Sequence, residues 1–163
     1  MSRYPGLPEG VGSRFIDGVN GLRVYILEAG HGGSERPLVL LLHGFPELAY
    51  SWRKIGVPLA DAGFRVVAPD QRGYGRTTGS DITDLASFRT DNLARDALSL
   101  ISALGYDRAH LVGHDFGSPR GRVDSHTTWH SCRCTTSWMP TPPCRKPWRR
   151  TYLHRSSEPR APG

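Results

Sequence analysis

The first 118 residues of this 163-residue chain contain no cysteine; all three lie further on, as Cys132, Cys134 and Cys144. This absence excludes a disulfide framework for that part of the chain and is compatible with a reducing compartment. The N-terminus lacks the charged, apolar and small-residue pattern of an export signal. No apolar run approaches the roughly 20 residues that span a bilayer. We therefore expect a cytoplasmic protein that has no membrane partner.

The C-terminal segment, residues 119–163, lacks what a folded core needs. Its aliphatic Val, Leu and Ile side chains number two, Val123 and Leu153, and it holds seven of the 13 prolines. It also holds nine of the 21 Lys and Arg but two of the 15 Asp and Glu, so its charge exceeds the net +6 of the whole chain. Because it offers no regular period and little apolar surface, we predict a disordered basic tail.

Residues 1–118, by contrast, alternate strand and helix patterns. The strands are predicted over residues 14–17, 22–28, 38–42, 64–68 and 109–113, the first two joined by a turn at 18–21. Helices are predicted over 48–62 and 85–104, the second with an apolar stripe from Leu85 to Leu104. The run at 38–42 is apolar throughout, which is typical of a strand buried on both faces of a parallel sheet. This alternation predicts a doubly wound α/β sheet.

Chemically useful residues stand where three of these strands end. His43-Gly44, Asp70 and Asp115 each fall at the C-terminal end of a predicted strand. In open α/β sheets, ligands bind at the carboxyl ends of the strands. We therefore expect these positions to lie together at one edge of the sheet.

The segment Gly113-His114-Asp115-Phe116-Gly117 has the pattern of a nucleophile elbow, with a carboxylate where esterases carry serine. Small residues flank the central position because the chain must reverse sharply there, and glycine tolerates the required backbone angles. Taken by itself, Gly-x-Asp-x-Gly more often marks an ordinary turn. In this setting Asp115 is a candidate for attack on carbon with formation of a covalent ester.

Three motifs in this order resemble the α/β-hydrolase superfamily, in the branch of epoxide hydrolases and haloalkane dehalogenases. They are His43-Gly44-Phe45-Pro46-Glu47, Asp70-Gln71-Arg72-Gly73-Tyr74-Gly75 and the elbow itself. The resemblance covers roughly residues 12–118. It implies an incomplete doubly wound, mostly parallel sheet, so that residues 1–118 form the N-terminal part of an α/β-hydrolase domain, followed by the tail.

The resemblance also implies roles for individual residues. Asp115 is the expected nucleophile, and the backbone N–H groups of Phe116 and Phe45 are the expected oxyanion hole. The residues expected to support this site are His43, Gly44, Pro46, Gly113, His114 and Gly117, with the histidines as structural donors rather than general bases. The loop of residues 70–75 is expected to be structural. No cofactor and no metal are expected, and the partner is a small-molecule epoxide or related electrophile.

Two positions separate the members of this branch. The dehalogenases that the chain resembles bind halide with a tryptophan after the nucleophile and an asparagine after His-Gly. This chain has Phe116 and Phe45 there, and neither side chain can donate a hydrogen bond to a leaving halide. Epoxide opening is therefore favoured, with a haloalkane-dehalogenase-like or other α/β hydrolase as the alternative.

Family chemistry needs a second step, in which a histidine oriented by a second acid activates water to hydrolyse the ester. In the family, that histidine, that acid and a cap with tyrosines all follow the elbow. From Pro119 onward this chain lacks even the apolar stripe of the next helix. We therefore expect a truncated chain without turnover, whose tail arises from a frameshift near Pro119, and whose strand 109–113 exposes its outer edge.

The tail suggests two further hypotheses. His126 and His130 with the three cysteines suggest zinc, but Cys-x-Cys with a distant third cysteine is not a finger spacing. Arg and Lys interleaved with Trp are typical of nucleic-acid contact. A non-enzymatic binding protein that uses the basic tail is therefore an alternative function, although no specific nucleic-acid binding is expected from a segment without a fold.

Overall fold

Six strands form one mixed sheet in the computed structural model, which describes residues 5–32, 36–117 and 128–131. They are β1 (Val11–Val19), β2 (Leu22–Ala29), β3 (Leu38–Leu42), β4 (Arg65–Pro69), β5 (His110–Gly113) and β6 (Thr128–Ser131). Their order across the sheet is β1-β2-β4-β3-β5-β6. The pairs β1–β2 and β2–β4 are antiparallel, and the pairs β4–β3, β3–β5 and β5–β6 are parallel. The two α-helices in these ranges are α1 (Arg53–Asp61) and α2 (Thr90–Ala103), and neither is long and apolar enough to cross a membrane.

The core lies on both faces of this sheet, and β3 contributes to each. All five residues of β3 are buried, as its unbroken apolar run predicts. Leu38, Leu40 and Leu42 pack in the cluster that contains the buried face of α2. Val39 and Leu41 pack in the opposite cluster, against which α1 packs. The helix–sheet–helix layering confirms the doubly wound α/β fold.

The first two strands form the predicted hairpin, with a tighter turn than expected. Asn20 and Gly21 are its two central residues, and both have positive φ, +50° and +80°. A two-residue turn of type I′ requires this conformation at both positions, and its twist matches that of the flanking strands. Because the turn is so short, β1 extends to Val19 rather than ending at residue 17.

The predicted helix over 85–104 is wrong in its first turn. Leu85–Phe88 is a separate 3-10 turn, Arg89 is extended with ψ +146°, and α2 begins at Thr90. The side-chain amide of Asn92 donates to the carbonyls of Ala86 and Ser87, which an unbroken helix would have bonded with its own backbone. The apolar stripe begins later in consequence, and Leu85 is 85% exposed.

The predicted helix over 48–62 is also divided. Ala49–Trp52 is a 3-10 turn, and α1 follows from Arg53. The buried carboxylate of Asp70 accepts a hydrogen bond from Ala49 N at 2.9 Å. This bond fixes the 3-10 turn to the end of β4 and sets it apart from α1.

The tail contains a strand that the sequence pattern did not predict. β6 pairs in parallel with β5, with His110 opposite Thr128 and Gly113 opposite Ser131. The expectation of a disordered tail is therefore wrong for these four residues, and so is the expectation of an exposed outer edge on β5. The unpaired N–H and C=O groups of a strand edge accept almost any extended segment, whatever its side chains. The rest of residues 119–163 lies outside the described residues.

A partly buried ion pair joins the turn after β4 to α2. Arg72 donates from Nε and Nη2 to the two carboxylate oxygens of Asp96, at 2.8 and 2.7 Å. Asn20 donates to the same carboxylate at 2.7 Å, and Arg72 Nη1 donates to Ser87 at 3.1 Å. The hydrogen bonds to Asp96 raise the pKa of Arg72, so the guanidinium stays charged. This pair ties together four segments of the chain around one carboxylate.

We predict that Asp96→Ala lowers the free energy of unfolding by about 2–3 kcal/mol, because the buried guanidinium loses its charged acceptor. Urea unfolding of the purified chain measures this. Arg95→Ala is the matched control, since Arg95 is exposed on the same helix and its loss should cost less than about 0.5 kcal/mol. Equal destabilisation by the two variants would contradict the role given to the pair.

Candidate active site

The ends of β3 and β5 bring two of the sequence motifs into contact. The strands are parallel neighbours, so the residues that follow them meet at one edge of the sheet. His114 N donates to Leu42 O at 3.1 Å, which continues the pairing past β5. Phe45 N donates to Asp115 Oδ2 at 3.1 Å. A candidate nucleophile and one candidate oxyanion donor, 70 positions apart in the chain, are therefore hydrogen-bonded to each other.

The backbone at Asp115 is strained in the manner of a nucleophile elbow. Asp115 has φ +51°, in the left-handed region that non-glycine residues rarely adopt. It starts a 3-10 turn, Asp115–Gly117, which closes with a bond from Gly117 N to His114 O at 2.9 Å. Strain of this kind persists where the surroundings enforce it, and it clusters at active sites.

Two glycines allow the loops to approach so closely. A Cβ at Gly44 would lie 2.7 Å from the Cβ of Asp115. A Cβ at Gly117 would collide with the carbonyl groups at the end of β3. A side chain at either position would push the elbow away from β3. Gly113, the last residue of β5, is itself buried.

The side chains of both candidate oxyanion residues are open to solvent. Phe45 is 62% exposed and Phe116 is 67% exposed. Pro46 follows Phe45 through a cis peptide bond and forms the turn that Glu47 N closes onto Gly44 O at 2.9 Å. The exposed phenyl rings on both loops place apolar surface at this edge of the sheet, and covering that surface would be favourable.

His43 is fully buried and braces this turn. Its Nε2 accepts a hydrogen bond from Gln71 N at 3.0 Å, so its Nδ1 carries the proton and donates to Gly44 O at 2.9 Å. Burial lowers the pKa of His43, and the bond to Gly44 with the charges of Asp70 and Glu47 opposes this without reversing it. The ring is therefore neutral, with both nitrogens engaged in structural bonds.

The second histidine of the site lies on the elbow. His114 Nδ1 is 3.7 Å from a carboxylate oxygen of Glu47, which belongs to the turn after β3. His114 is partly buried, whereas Glu47 is exposed. At this separation the two side chains lie close to each other without a hydrogen bond.

Asp70 lies at the end of β4, and its carboxylate holds the neighbouring loops. Oδ1 accepts from Ala49 N at 2.9 Å, and Oδ2 accepts from Arg76 N at 3.0 Å. Its backbone oxygen accepts from the Thr77 hydroxyl at 2.5 Å. With both carboxylate oxygens used in this way, Asp70 shapes the edge of the site, in line with the structural role expected for residues 70–75.

Sequence reasoning missed Gln71. Its backbone and its side chain both bond to His43, and no pattern in the sequence marked it beyond its place in the Asp-Gln-Arg-Gly motif. Of the tail residues considered for zinc, His130 lies in β6, whereas Cys132, Cys134, Cys144 and His126 lie outside the described residues.

The neutral state of His43 predicts a pH dependence of stability. Its pKa is lowered by folding, so below the ordinary value of 6.5 the unfolded chain binds a proton more readily than the folded one. We expect the free energy of unfolding to fall as the pH drops from 7.5 towards 5.5. In His43→Gln, which keeps an acceptor for Gln71 N, this fall should be shallower. Identical slopes in urea unfolding of the two proteins would show that His43 does not titrate in this way.

The comparisons with known proteins agree with this geometry. A model of the α/β hydrolase fold family matches residues 37–152, which is more than half of the chain. The chain is 46% identical over 105 residues to epoxide hydrolase A of Mycobacterium tuberculosis, which is 64% of this chain and 31% of that protein. It is 41% identical over 109 residues to the AB hydrolase superfamily protein YfhM of Bacillus subtilis, or 67% of this chain and 36% of that protein.

A solved structure gives the same result. Epoxide hydrolase I of potato, Solanum tuberosum, aligns with a TM-score of 0.60 and 41% identity, over 66% of this chain and 33% of that one. The chain thus spans about a third of the length of the curated relatives it matches. Because the fold-family match, the identities and the sheet with its aspartate elbow all agree, the chain belongs to the α/β-hydrolase fold family.

Proposed function

We propose that the site performs nucleophilic opening of an epoxide by the carboxylate of Asp115. The observation that carries this proposal is the hydrogen bond from Phe45 N to Asp115 Oδ2, at the strained turn of the elbow. This bond fixes the rotation of the carboxylate and withdraws charge from Oδ2. Attack then comes from Oδ1. The epoxide hydrolases among the relatives support an epoxide as the electrophile.

The step forms one bond and breaks another. Asp115 Oδ1 bonds to an epoxide carbon from the side opposite its ring oxygen, and the C–O bond of the ring breaks. The released alkoxide takes a proton from a water molecule and becomes a hydroxyl group, and the hydroxide left behind passes into the solvent. The product is a hydroxyalkyl ester of Asp115, heavier than the free protein by the mass of the whole epoxide.

The N–H groups of Phe45 and Phe116 form the oxyanion hole of this proposal. When such an ester is attacked by water, its carbonyl oxygen becomes negative, and donors already pointing at that oxygen stabilise the charge. Removal of one such donor typically costs ~10²–10³-fold in rate. Phe45 N already donates to Asp115, and Phe116 N belongs to the peptide group that directly follows Asp115.

Hydrolysis of the ester is the step that this chain performs poorly. It requires a histidine with a ring nitrogen available to activate water. Within residues 36–117, both ring nitrogens of His43 are engaged, and His114 Nδ1 faces Glu47 on the turn. His110, the third histidine in this range, begins β5 at the end of the strand opposite the elbow, with its ring against Phe64. We therefore propose a single alkylation of Asp115 without turnover.

We also propose an origin for the tail, residues 119–163. The change in composition at residue 119 is abrupt, and the segment after it has two aliphatic side chains in 45 residues. Translation in a shifted frame from about Pro119 accounts for that change, and residues 1–118 then represent the N-terminal part of a hydrolase domain. Pairing of β6 with β5 does not depend on the reading frame, because it uses backbone groups.

We predict that incubation with an aryl-substituted epoxide adds one epoxide mass to the protein, because an aspartate poised for attack needs no base to form the ester. The thiols of Cys132, Cys134 and Cys144 are capped with iodoacetamide beforehand, since they also react with epoxides. Intact-mass spectrometry then measures the adduct.

Asp115→Asn is the matched control for this prediction. Asparagine tolerates a left-handed backbone and preserves the shape of the elbow, but its amide is a poor nucleophile. The added mass should disappear in this variant. An adduct of the same size and rate in both proteins, or none in either, would exclude Asp115 as the nucleophile.

A further inference from the structure

Gln71 makes two hydrogen bonds to His43, and neither has a role in the reaction steps proposed above. Its backbone N donates to His43 Nε2 at 3.0 Å, and its side-chain amide donates to the His43 carbonyl oxygen at 2.5 Å. Gln71 lies just beyond the end of β4, and His43 just beyond the end of its parallel neighbour β3. The two bonds therefore join the loops after two adjacent strands, next to the elbow.

These bonds begin a hydrogen-bond chain that ends at the nucleophile. His43 accepts from Gln71 on Nε2 and donates from Nδ1 to Gly44 O at 2.9 Å. The Gly44 carbonyl and the Phe45 N–H belong to one peptide group, and this N–H donates to Asp115 Oδ2. Bonds aligned in sequence polarise one another, so each donor strengthens the next.

The same contacts fix the two peptide groups that lead to Phe45. The Gln71 side chain holds the carbonyl of the first group, and the His43 ring with Glu47 N holds the carbonyl of the second. In a trans peptide the C=O and N–H point in opposite directions. A peptide held by its oxygen on one side must therefore present its N–H to the other side, where Asp115 lies.

We propose that Gln71 is a positioning residue for the nucleophile: through His43 it sets the orientation of the Gly44–Phe45 peptide, whose N–H holds the Asp115 carboxylate. The catalytic part of this inference rests on the proposed function, because it matters only if Asp115 attacks a substrate. The structural part does not, since the orientation of Phe45 N–H can be measured without any substrate.

Three variants of the full-length protein test the inference. Gln71→Glu keeps the size of the side chain but replaces the donating amide by a carboxylate, whose oxygen repels the His43 carbonyl oxygen. Gln71→Ala removes the donor and keeps the backbone bond. Arg72→Lys is the control, because it weakens the neighbouring ion pair with Asp96 in the same turn, and its side chain bonds to Asp96 and Ser87 rather than to His43.

The first measurement is the amide proton of Phe45 in ¹H–¹⁵N correlation spectra. A charge-assisted bond to a carboxylate is short and strong, and it shifts the amide proton downfield. We expect that shift in the wild type and in Arg72→Lys, and an upfield movement in both Gln71 variants. An unchanged Phe45 shift in both Gln71 variants overturns the inference, as does an equal movement in Arg72→Lys.

The second measurement is the rate of epoxide adduct formation on thiol-capped protein. We expect the maximal rate to fall about tenfold in both Gln71 variants, because the carboxylate is then less well aligned for attack, and a misplacement of about 1 Å can cost ~10²-fold. The epoxide concentration at half-maximal rate should not change, because Gln71 does not meet the substrate. If the wild type forms no adduct while the Phe45 shift responds as expected, the proposed function fails and the positioning role stands. If the wild type reacts and the Gln71 variants react equally fast, the positioning role fails.

Discussion

The hydrogen bond between Phe45 N and Asp115 Oδ2 is the contact on which the candidate site depends. It joins the loop after β3 to the loop after β5, and it forms because those strands are parallel neighbours in the sheet. The approach is so close that a Cβ at Gly44 would lie 2.7 Å from the Asp115 side chain. The left-handed backbone of Asp115 is a cost of this geometry that the packed strands around it must offset.

Around this contact, the polar groups at the ends of the strands act as supports. Asp70 uses both carboxylate oxygens to hold the backbone of the loops on either side of it. His43 stays neutral because burial lowers its pKa, and only the neutral ring can accept from Gln71 while it donates to Gly44. The site is therefore held by hydrogen bonds to the charged carboxylate of Asp70 and by hydrogen bonds of the neutral ring of His43.

The sequence predicted the features that depend on local pattern. The apolar run of residues 38–42 predicted a strand buried on both faces, and Gly113 to Gly117 predicted the elbow. Contacts between distant residues left no such pattern: nothing in the sequence pairs Arg72 with Asp96 or aims Gln71 at His43. The break at Arg89 was missed because the side chain of Asn92, a residue with no special spacing, bonds the carbonyls before it. β6 was missed because its pairing uses backbone groups, which every extended segment carries.

The most direct test of the account is the location of the covalent adduct. Thiol-capped protein is incubated with an aryl-substituted epoxide and digested at acidic pH, which preserves esters, and the modified residue is identified by tandem mass spectrometry. We expect one hydroxyalkyl ester, on Asp115, because this carboxylate is oriented by a backbone donor at a strained turn. Modification spread over exposed carboxylates such as Glu47, with none concentrated on Asp115, would contradict it.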